Sequence, residues 1–78
     1  MNTYGKTIGM ELRALRIKNK LSAEFVCEKV DINRSTLYKV ENDASKIRLG
    51  VLEDLLKLYG MNTFIFFKMV SEYNHKEE

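Results

Sequence analysis

The chain has 78 residues, of which 13 are Lys or Arg and 11 are Asp or Glu, so its net charge is only +2. This length corresponds to one domain, near the lower limit at which packing alone stabilises a fold. The single cysteine excludes an internal disulfide and a thiolate metal cage, and no apolar run approaches the roughly 20 residues of a membrane span. With 45% hydrophobic residues and no proline, the composition indicates a mostly helical, cytoplasmic domain.

Three helices are predicted in the first part of the chain from apolar spacing and from capping residues. The first runs from Thr7 to Asn19 and ends in positive charge, which a helix C-terminus favours. Ser22 is the predicted N-cap of a second helix that ends at Val30. After a short turn, Asn33 caps a third helix over residues 34–42.

Two more helices are predicted in the remaining part of the chain. The fourth runs from Leu49 to Tyr59 with a wide apolar stripe, and Gly60 ends it. Asn62 or Thr63 caps a fifth helix that reaches Asn74, and residues 75–78 form a polar tail. We therefore expect an all-α fold in a single domain over residues 1–78, with a core at 7–61 and a C-terminal helix at 62–74.

Charge is unevenly distributed between the two parts of the chain. Residues 1–48 hold ten Lys or Arg and six Asp or Glu, a balance of +4, whereas residues 49–78 hold three and five, a balance of −2. A basic N-terminal part indicates a surface that meets a polyanion.

The second and third helices have the pattern of a helix-turn-helix, in which two short helices are joined by a turn of three or four residues. The third helix has only two inward apolar side chains, Leu37 and Val40, so Arg34, Ser35, Tyr38 and Lys39 must face outward. An α-helix fits the major groove of DNA and places its N-terminal side chains at base edges. The pattern therefore predicts double-stranded DNA as the partner.

Residues 21–42, LSAEFVCEKVDINRSTLYKVEN, resemble the helix-turn-helix of the Cro/CI (XRE-type) repressors. The flanks agree, because Ile8-Gly9, Leu12-Arg13 and Leu15-Arg16 resemble the first helix of that family, and the leucines before Gly60 resemble its fourth. The resemblance covers Thr7 to Met61 without a gap. It implies a compact five-helix, lambda-repressor-like DNA-binding domain.

The resemblance also implies roles for individual residues. The base-contacting positions of the family fall on Arg34, Ser35 and Lys39, with Thr36 and Tyr38 close by. Contacts with DNA phosphate are expected from Ser22, Asn33, Asn42 and Lys46. The family pairs an arginine of the first helix with the glutamate that ends the third, here Arg16 and Glu41, as a structural ion pair.

Four positions depart from the family pattern. Ala23 stands where many relatives have a glutamine that contacts phosphate, so that contact is expected to be lost. Asp31 replaces a turn glycine with positive φ, a conformation that Asp tolerates better than most residues. Ile47 and Arg48 replace a proline and a cap, so the start of the fourth helix is poorly specified.

The fifth helix carries more apolar surface than a 78-residue bundle is expected to bury. We therefore predict a homodimer interface formed by Phe64, Phe66, Phe67, Met69, Val70 and Tyr73. A two-fold dimer of this kind spaces its recognition helices about 34 Å apart on a pseudo-palindromic operator.

The sequence as a whole predicts a transcriptional regulator of Cro/CI type, with no catalytic activity, cofactor, metal or evident small-molecule ligand. Repression and activation are both compatible with the sequence. Cys27 is expected to be a buried thiol, and His75 has no ligand partner at metal spacing. A narrower resemblance is to the small controller proteins of restriction–modification systems, which carry a segment like Phe66-Phe67-Lys68-Met69 in their dimer interface. A phage or mobile-element repressor, an antitoxin and a helical adaptor that does not bind DNA remain alternatives.

Overall fold

The computed structural model describes residues 4–76 of the chain, with side chains for residues 4–73. Its described part contains five helices and no strand, which confirms the predicted all-α class. They are α1 (Tyr4–Lys18), α2 (Ala23–Val30), α3 (Arg34–Asn42), α4 (Leu49–Leu58) and α5 (Thr63–Lys76). None of these helices is long and apolar enough to cross a membrane.

Within the part of the chain that the structure describes, side chains cap the N-termini of α2, α3 and α5. The Ser22 hydroxyl accepts a hydrogen bond from the Phe25 amide at 3.1 Å, and the Asn33 side-chain oxygen accepts one from Thr36 at 2.8 Å. The Asn62 oxygen accepts one from Ile65 at 3.1 Å, so Asn62 rather than Thr63 is the cap of α5. These caps satisfy backbone donors that a helix otherwise leaves unpaired. Helix α4 starts after Arg48 with no side-chain cap, as its sequence predicts.

The helix ends include three residues with a left-handed backbone. Asp31, which ends α2, has φ 61°, and Gly60, which follows α4, has φ +69°, as predicted for both turns. Lys20 has φ 59° in the turn after α1. The turn at Lys20 contains no glycine, so its left-handed conformation was not predicted from the sequence.

The first and last helices extend further than predicted. Helix α1 begins at Tyr4 rather than Thr7, and its first turn packs beside the loop after α3, where the Gly5 carbonyl accepts a hydrogen bond from the Ala44 amide at 2.8 Å. Helix α5 reaches Lys76 because no glycine or proline follows Tyr73 to stop it. Part of the predicted polar tail is therefore helical; residues 77–78 lie outside the described residues.

One hydrophobic core joins all five helices, with α1 packed on α3 and α5, and α2 packed on α3 and α4. The radius of gyration is 11.9 Å, close to the roughly 11–12 Å of a compact domain of this length. The largest fully buried side chains are Leu12, Val26, Leu37, Leu55, Leu56, Phe66 and Val70.

The burial of Phe66 and Val70 corrects one prediction. Both side chains are 0% exposed within the single chain, where they pack in the core beside α1. They have no surface left for a partner, so their assignment to a dimer interface is wrong. The helix is long enough to bury one face in its own protomer, and only the other face of α5 remains exposed.

Candidate nucleic-acid interface

Helix α3 presents a polar face to solvent and an apolar face to the core. Leu37 and Val40 are buried, and Thr36 is half-buried. The exposed side chains are Arg34, Ser35, Tyr38, Lys39 and Asn42. This face therefore carries a guanidinium, an ammonium and two hydroxyl groups, which are the hydrogen-bond donors that contact base edges and phosphates.

A buried ion pair holds α3 against α1 from beneath. The Arg16 Nε donates to Glu41 Oε2 at 2.7 Å, and a second guanidinium nitrogen donates to Glu41 Oε1 at 3.1 Å. The third nitrogen donates to the Leu21 carbonyl at 3.1 Å, just before α2. Only 13% of the Arg16 side chain and 4% of the Glu41 side chain are exposed, and the bond to Glu41 raises the pKa of Arg16. One arginine therefore links α3 to α1 and to the segment that leads into α2.

Two of the residues predicted to contact phosphate, Ser22 and Asn33, lie at the N-termini of α2 and α3. The oxygens of Ser22 and Asn33 are occupied by their capping bonds. A capping hydroxyl still has its own proton to donate, and an asparagine cap keeps its side-chain NH₂. Both residues are exposed, so these donors stand beside helix N-termini, where anions are favoured.

A groove of about 380 Å³ lies between the turn of the helix-turn-helix and the loop before α4. Asn33, Thr36 and Lys46 share it, and Arg48 adds a second cation. Arg48 was not among the predicted DNA contacts, although a cation two residues after Lys46 was visible in the sequence. Asn42 lies apart from this groove, in a shallow depression with Arg13 and Tyr38 at the other end of α3.

An exposed ion pair joins the first turns of α2 and α3. The Arg34 guanidinium donates to Glu24 Oε2 at 2.6 Å. Sequence reasoning assigned Arg34 to base contact but did not connect it with Glu24. The only signal was an acidic residue in the first turn of α2, and the pairing depends on how the two helices cross.

Cys27 is buried beneath this surface, and burial raises the pKa of its thiol. Among the described residues, no group of three or more His, Cys, Asp or Glu side chains is placed to hold a metal ion. The side chain of His75 lies outside the described residues.

The fold and this surface together define a helix-turn-helix DNA-binding domain, and comparison with known families agrees. The helix-turn-helix domain family matches residues 7–63, and the chain belongs to this family. The predicted resemblance is therefore confirmed. A comparison with curated protein sequences found no match.

Solved structures of one protein share this fold over the whole chain. The wild-type Restriction-Modification Controller Protein C.Esp1396I, in its triclinic crystal form, is similar with 16% identity and a TM-score of 0.86, covering 99% of this chain and 100% of that one. A mutant of the same protein in a monoclinic form has 15% identity and a TM-score of 0.86, with 100% of both chains covered. At these identities the likeness establishes the five-helix fold.

Proposed function

We propose that the protein is a sequence-specific transcriptional regulator that acts in the cytoplasm and binds a pseudo-palindromic operator as a homodimer. The observation that carries the proposal is the exposed polar face of α3, which is held in place from beneath by the Arg16–Glu41 ion pair. A rigid helix with donors on its outer face is what entry into the major groove requires.

Arg34, Ser35 and Lys39 are the proposed base contacts, with Thr36 and Tyr38 beside them. Arg34 is the first residue of α3, and its guanidinium suits the O6 and N7 atoms of guanine. Lys39 lies further along the exposed face, where it reaches a guanine or a phosphate. Thr36 is half-buried and lines the groove, so we expect it to contact DNA less than the four exposed residues do.

Phosphate contacts are proposed at both ends of α3. Ser22 caps α2 and Asn33 caps α3. Lys46 lines the groove, and Asn42 is the last residue of α3. We add Arg48, because it lines the same groove as Lys46 and presents a second positive charge.

The dimer is proposed to form through the exposed face of α5. Around the buried stripe of Phe66 and Val70, this helix exposes Phe64, Ile65, Phe67, Met69 and Tyr73, whose exposed fractions run from 37% for Met69 to 76% for Phe64. So many exposed apolar residues on one helix are typical of a protein interface. Residues 62–74 therefore serve both the protomer core and the interface, within a single domain.

A narrower proposal is that the chain controls the genes of a restriction–modification system. Its support is the likeness of fold, over nearly the whole of both chains, to a protein named as a restriction–modification controller. A methyltransferase gene and an endonuclease gene beside the coding region would support this role. A neighbouring toxin gene or an integrase gene would instead favour an antitoxin or a mobile-element repressor.

Selection of duplexes from a randomised library tests the function directly. We expect the wild-type chain to enrich a sequence with two-fold symmetry. Replacing Arg34 or Lys39 with Ala should then weaken binding to that duplex by about 1–3 kcal/mol, or roughly 5- to 150-fold, if each contacts a base. Titration by fluorescence anisotropy at a fixed salt concentration measures the loss.

Lys57→Ala is the matched control, because Lys57 is an exposed cation on α4 outside the helix-turn-helix. It should leave the affinity within about twofold of wild type if only long-range charge changes. Failure to enrich any sequence would contradict the proposal and would favour an adaptor that does not bind DNA.

A further inference from the structure

Glu24 places a negative charge on the surface proposed to meet DNA. Its carboxylate accepts a hydrogen bond from the Arg34 guanidinium at 2.6 Å, and both side chains are largely exposed, at 76% and 57%. The glutamate lies in the first turn of α2, and the arginine is the first residue of α3. The pair therefore spans the two N-termini of the helix-turn-helix.

We propose that Glu24 is a specificity-determining residue that positions Arg34 for base contact and opposes binding to DNA of other sequences. This inference rests on the proposed function, because it assigns a role within the same DNA-binding surface.

The positioning role follows from the geometry of the guanidinium. Arginine has five N–H donors in a planar fork, and a free side chain samples many rotamers. A bond from one nitrogen of Arg34 to Glu24 restricts the side chain and still leaves donors for a base. Restricting a side chain before binding reduces the entropy that binding costs. Arg34 is therefore held near the N-terminus of α3 before DNA arrives.

The opposing role follows from where the carboxylate lies. A helix N-terminus favours an anion, and DNA phosphates commonly occupy such positions. In this chain Ala23 begins α2 and Glu24 follows it, so the first turn offers a fixed negative charge in place of a neutral donor. On any DNA sequence, this charge weakens the binding of a phosphate beside the Ser22 cap.

The two roles act differently on matched and unmatched DNA. On a matched duplex, the contact between Arg34 and its base offsets the repulsion by Glu24. The repulsion lowers both affinities and cancels in their ratio, whereas the positioning of Arg34 strengthens binding only to the matched duplex. Discrimination between two ligands depends on this difference rather than on absolute affinity. Glu24 is therefore expected to lower the affinity for unmatched DNA and to raise the ratio of specific to non-specific binding.

Glu24→Ala and Glu24→Gln in the full chain test this inference. The probes are the duplex that the wild-type protein selects and a scrambled duplex of the same composition. Glu24→Ala should bind the scrambled duplex several-fold more tightly and lower the ratio of the two affinities by about tenfold, a typical effect of one base contact. Glu24→Gln keeps a side-chain oxygen that accepts a hydrogen bond from Arg34. Its ratio of specific to non-specific affinity should therefore fall between the ratios of Glu24→Ala and wild type.

Selection repeated with Glu24→Ala should lose its preference at the same base pair that Arg34→Ala loses. The matched control is Glu28→Gln, which removes an equal charge from the exposed surface of α2 outside the ion pair. It should strengthen binding to both duplexes alike.

Two results would overturn the inference. An unchanged ratio for Glu24→Ala, with both affinities raised equally, would show that Glu24 contributes only charge. A loss of preference at a base pair other than that of Arg34 would refute the positioning role. Failure of the wild-type chain to select any sequence would refute the regulator proposal and this inference together.

Discussion

Tyr59 follows α4 and inserts its ring into the core, where only 5% of the residue is exposed. Its hydroxyl has no hydrogen-bond partner in the part of the chain that the structure describes. Burial, followed by the nearby negative charge of Glu41, raises the pKa of this hydroxyl well above its usual value of about 10. The folded protein therefore favours the neutral phenol.

We expect this tyrosine to make stability fall in alkaline solution. Because the pKa is higher in the folded than in the unfolded state, the contribution of Tyr59 is fully present below about pH 10 and declines as the pH rises further. Tyr59→Phe should remove this component of the pH dependence. At pH 7 it should cost little or stabilise the protein, by up to about 1 kcal/mol, because it deletes an unsatisfied buried hydroxyl.

Urea unfolding of wild type and Tyr59→Phe between pH 7 and pH 11 measures the difference. Tyr38→Phe serves as the control because it removes an exposed hydroxyl. A difference between wild type and Tyr59→Phe that does not change with pH would contradict the expected titration.

Backbone conformation at single residues was only partly predictable. The left-handed turn at Asp31 followed from the family pattern, in which a glycine holds that position. Lys20 adopts the same conformation without such a signal. The Lys20 amide donates to the Ile17 carbonyl at 2.9 Å and the Leu21 amide to the Arg16 carbonyl at 3.0 Å, which is a Schellman motif at the end of α1. These bonds satisfy the last carbonyls of the helix and hold Lys20 in the left-handed conformation without a glycine.

Among the elements, α1 lies close to the backbone of α3 at Gly9. A Cβ added at Gly9 would lie 2.5 Å from the Val40 carbonyl oxygen and 2.8 Å from that of Glu41. These are backbone atoms of α3, which do not move as easily as the end of a side chain. Glycine at this position therefore lets α1 and the recognition helix pack together.

Gly9→Ala should accordingly destabilise the fold, by about 1–3 kcal/mol, the usual cost of overpacking. Gly50→Ala is the matched control, because Gly50 lies in α4 with no atom near its missing Cβ. That change should stabilise the protein by up to about 1 kcal/mol through helix propensity. Thermal unfolding followed by circular dichroism compares the two, and equal effects of the same sign would refute the close-packing interpretation.

For the elements, local signals predicted most of what the structure contains. The bounds of α3 and the caps Ser22 and Asn33 depend on hydrogen bonds that span three or four residues, so the sequence pattern is sufficient. The early start of α1 was missed because it depends on contact with the distant loop at Ala44. A helix end that depends on contacts between near neighbours in the chain can thus be predicted from the sequence, whereas one that depends on a distant segment cannot.

For the whole molecule, the exposed face of α5 predicts self-association. Phe64→Glu should raise the dimer dissociation constant by roughly 30-fold or more, because a buried aromatic anchor of an interface commonly contributes about 2 kcal/mol. The protomer should stay folded, since Phe64 is 76% exposed. Sedimentation velocity over a range of concentrations measures the change. Deleting α5 is a poorer test, because it removes Phe66 and Val70 from the core.

Leu49→Glu is the control for this experiment. Leu49 is 69% exposed, at the start of α4, so the substitution adds a comparable charge at an apolar position outside α5. It should leave the dimer unchanged. A wild-type chain that stays monomeric at every concentration, or equal effects of the two substitutions, would contradict an interface on α5.

The division of charge remains visible in the folded molecule. The basic residues 1–48 contain the whole helix-turn-helix, and the acidic remainder contains α4 and α5. A small net charge is therefore compatible with a DNA-binding surface, because the field at a surface depends on nearby charges rather than on the total.

Helix number, caps and the outward face of α3 were all available from the amino-acid sequence, because apolar periodicity and capping act between near neighbours in the chain. Three features required the folded molecule: the Glu24–Arg34 ion pair, the groove that joins Lys46 and Arg48 to the start of α3, and the division of α5 between core and surface. Each depends on how segments far apart in the chain cross and pack. Periodicity shows which residues are apolar, but only packing decides which of those apolar faces another helix covers.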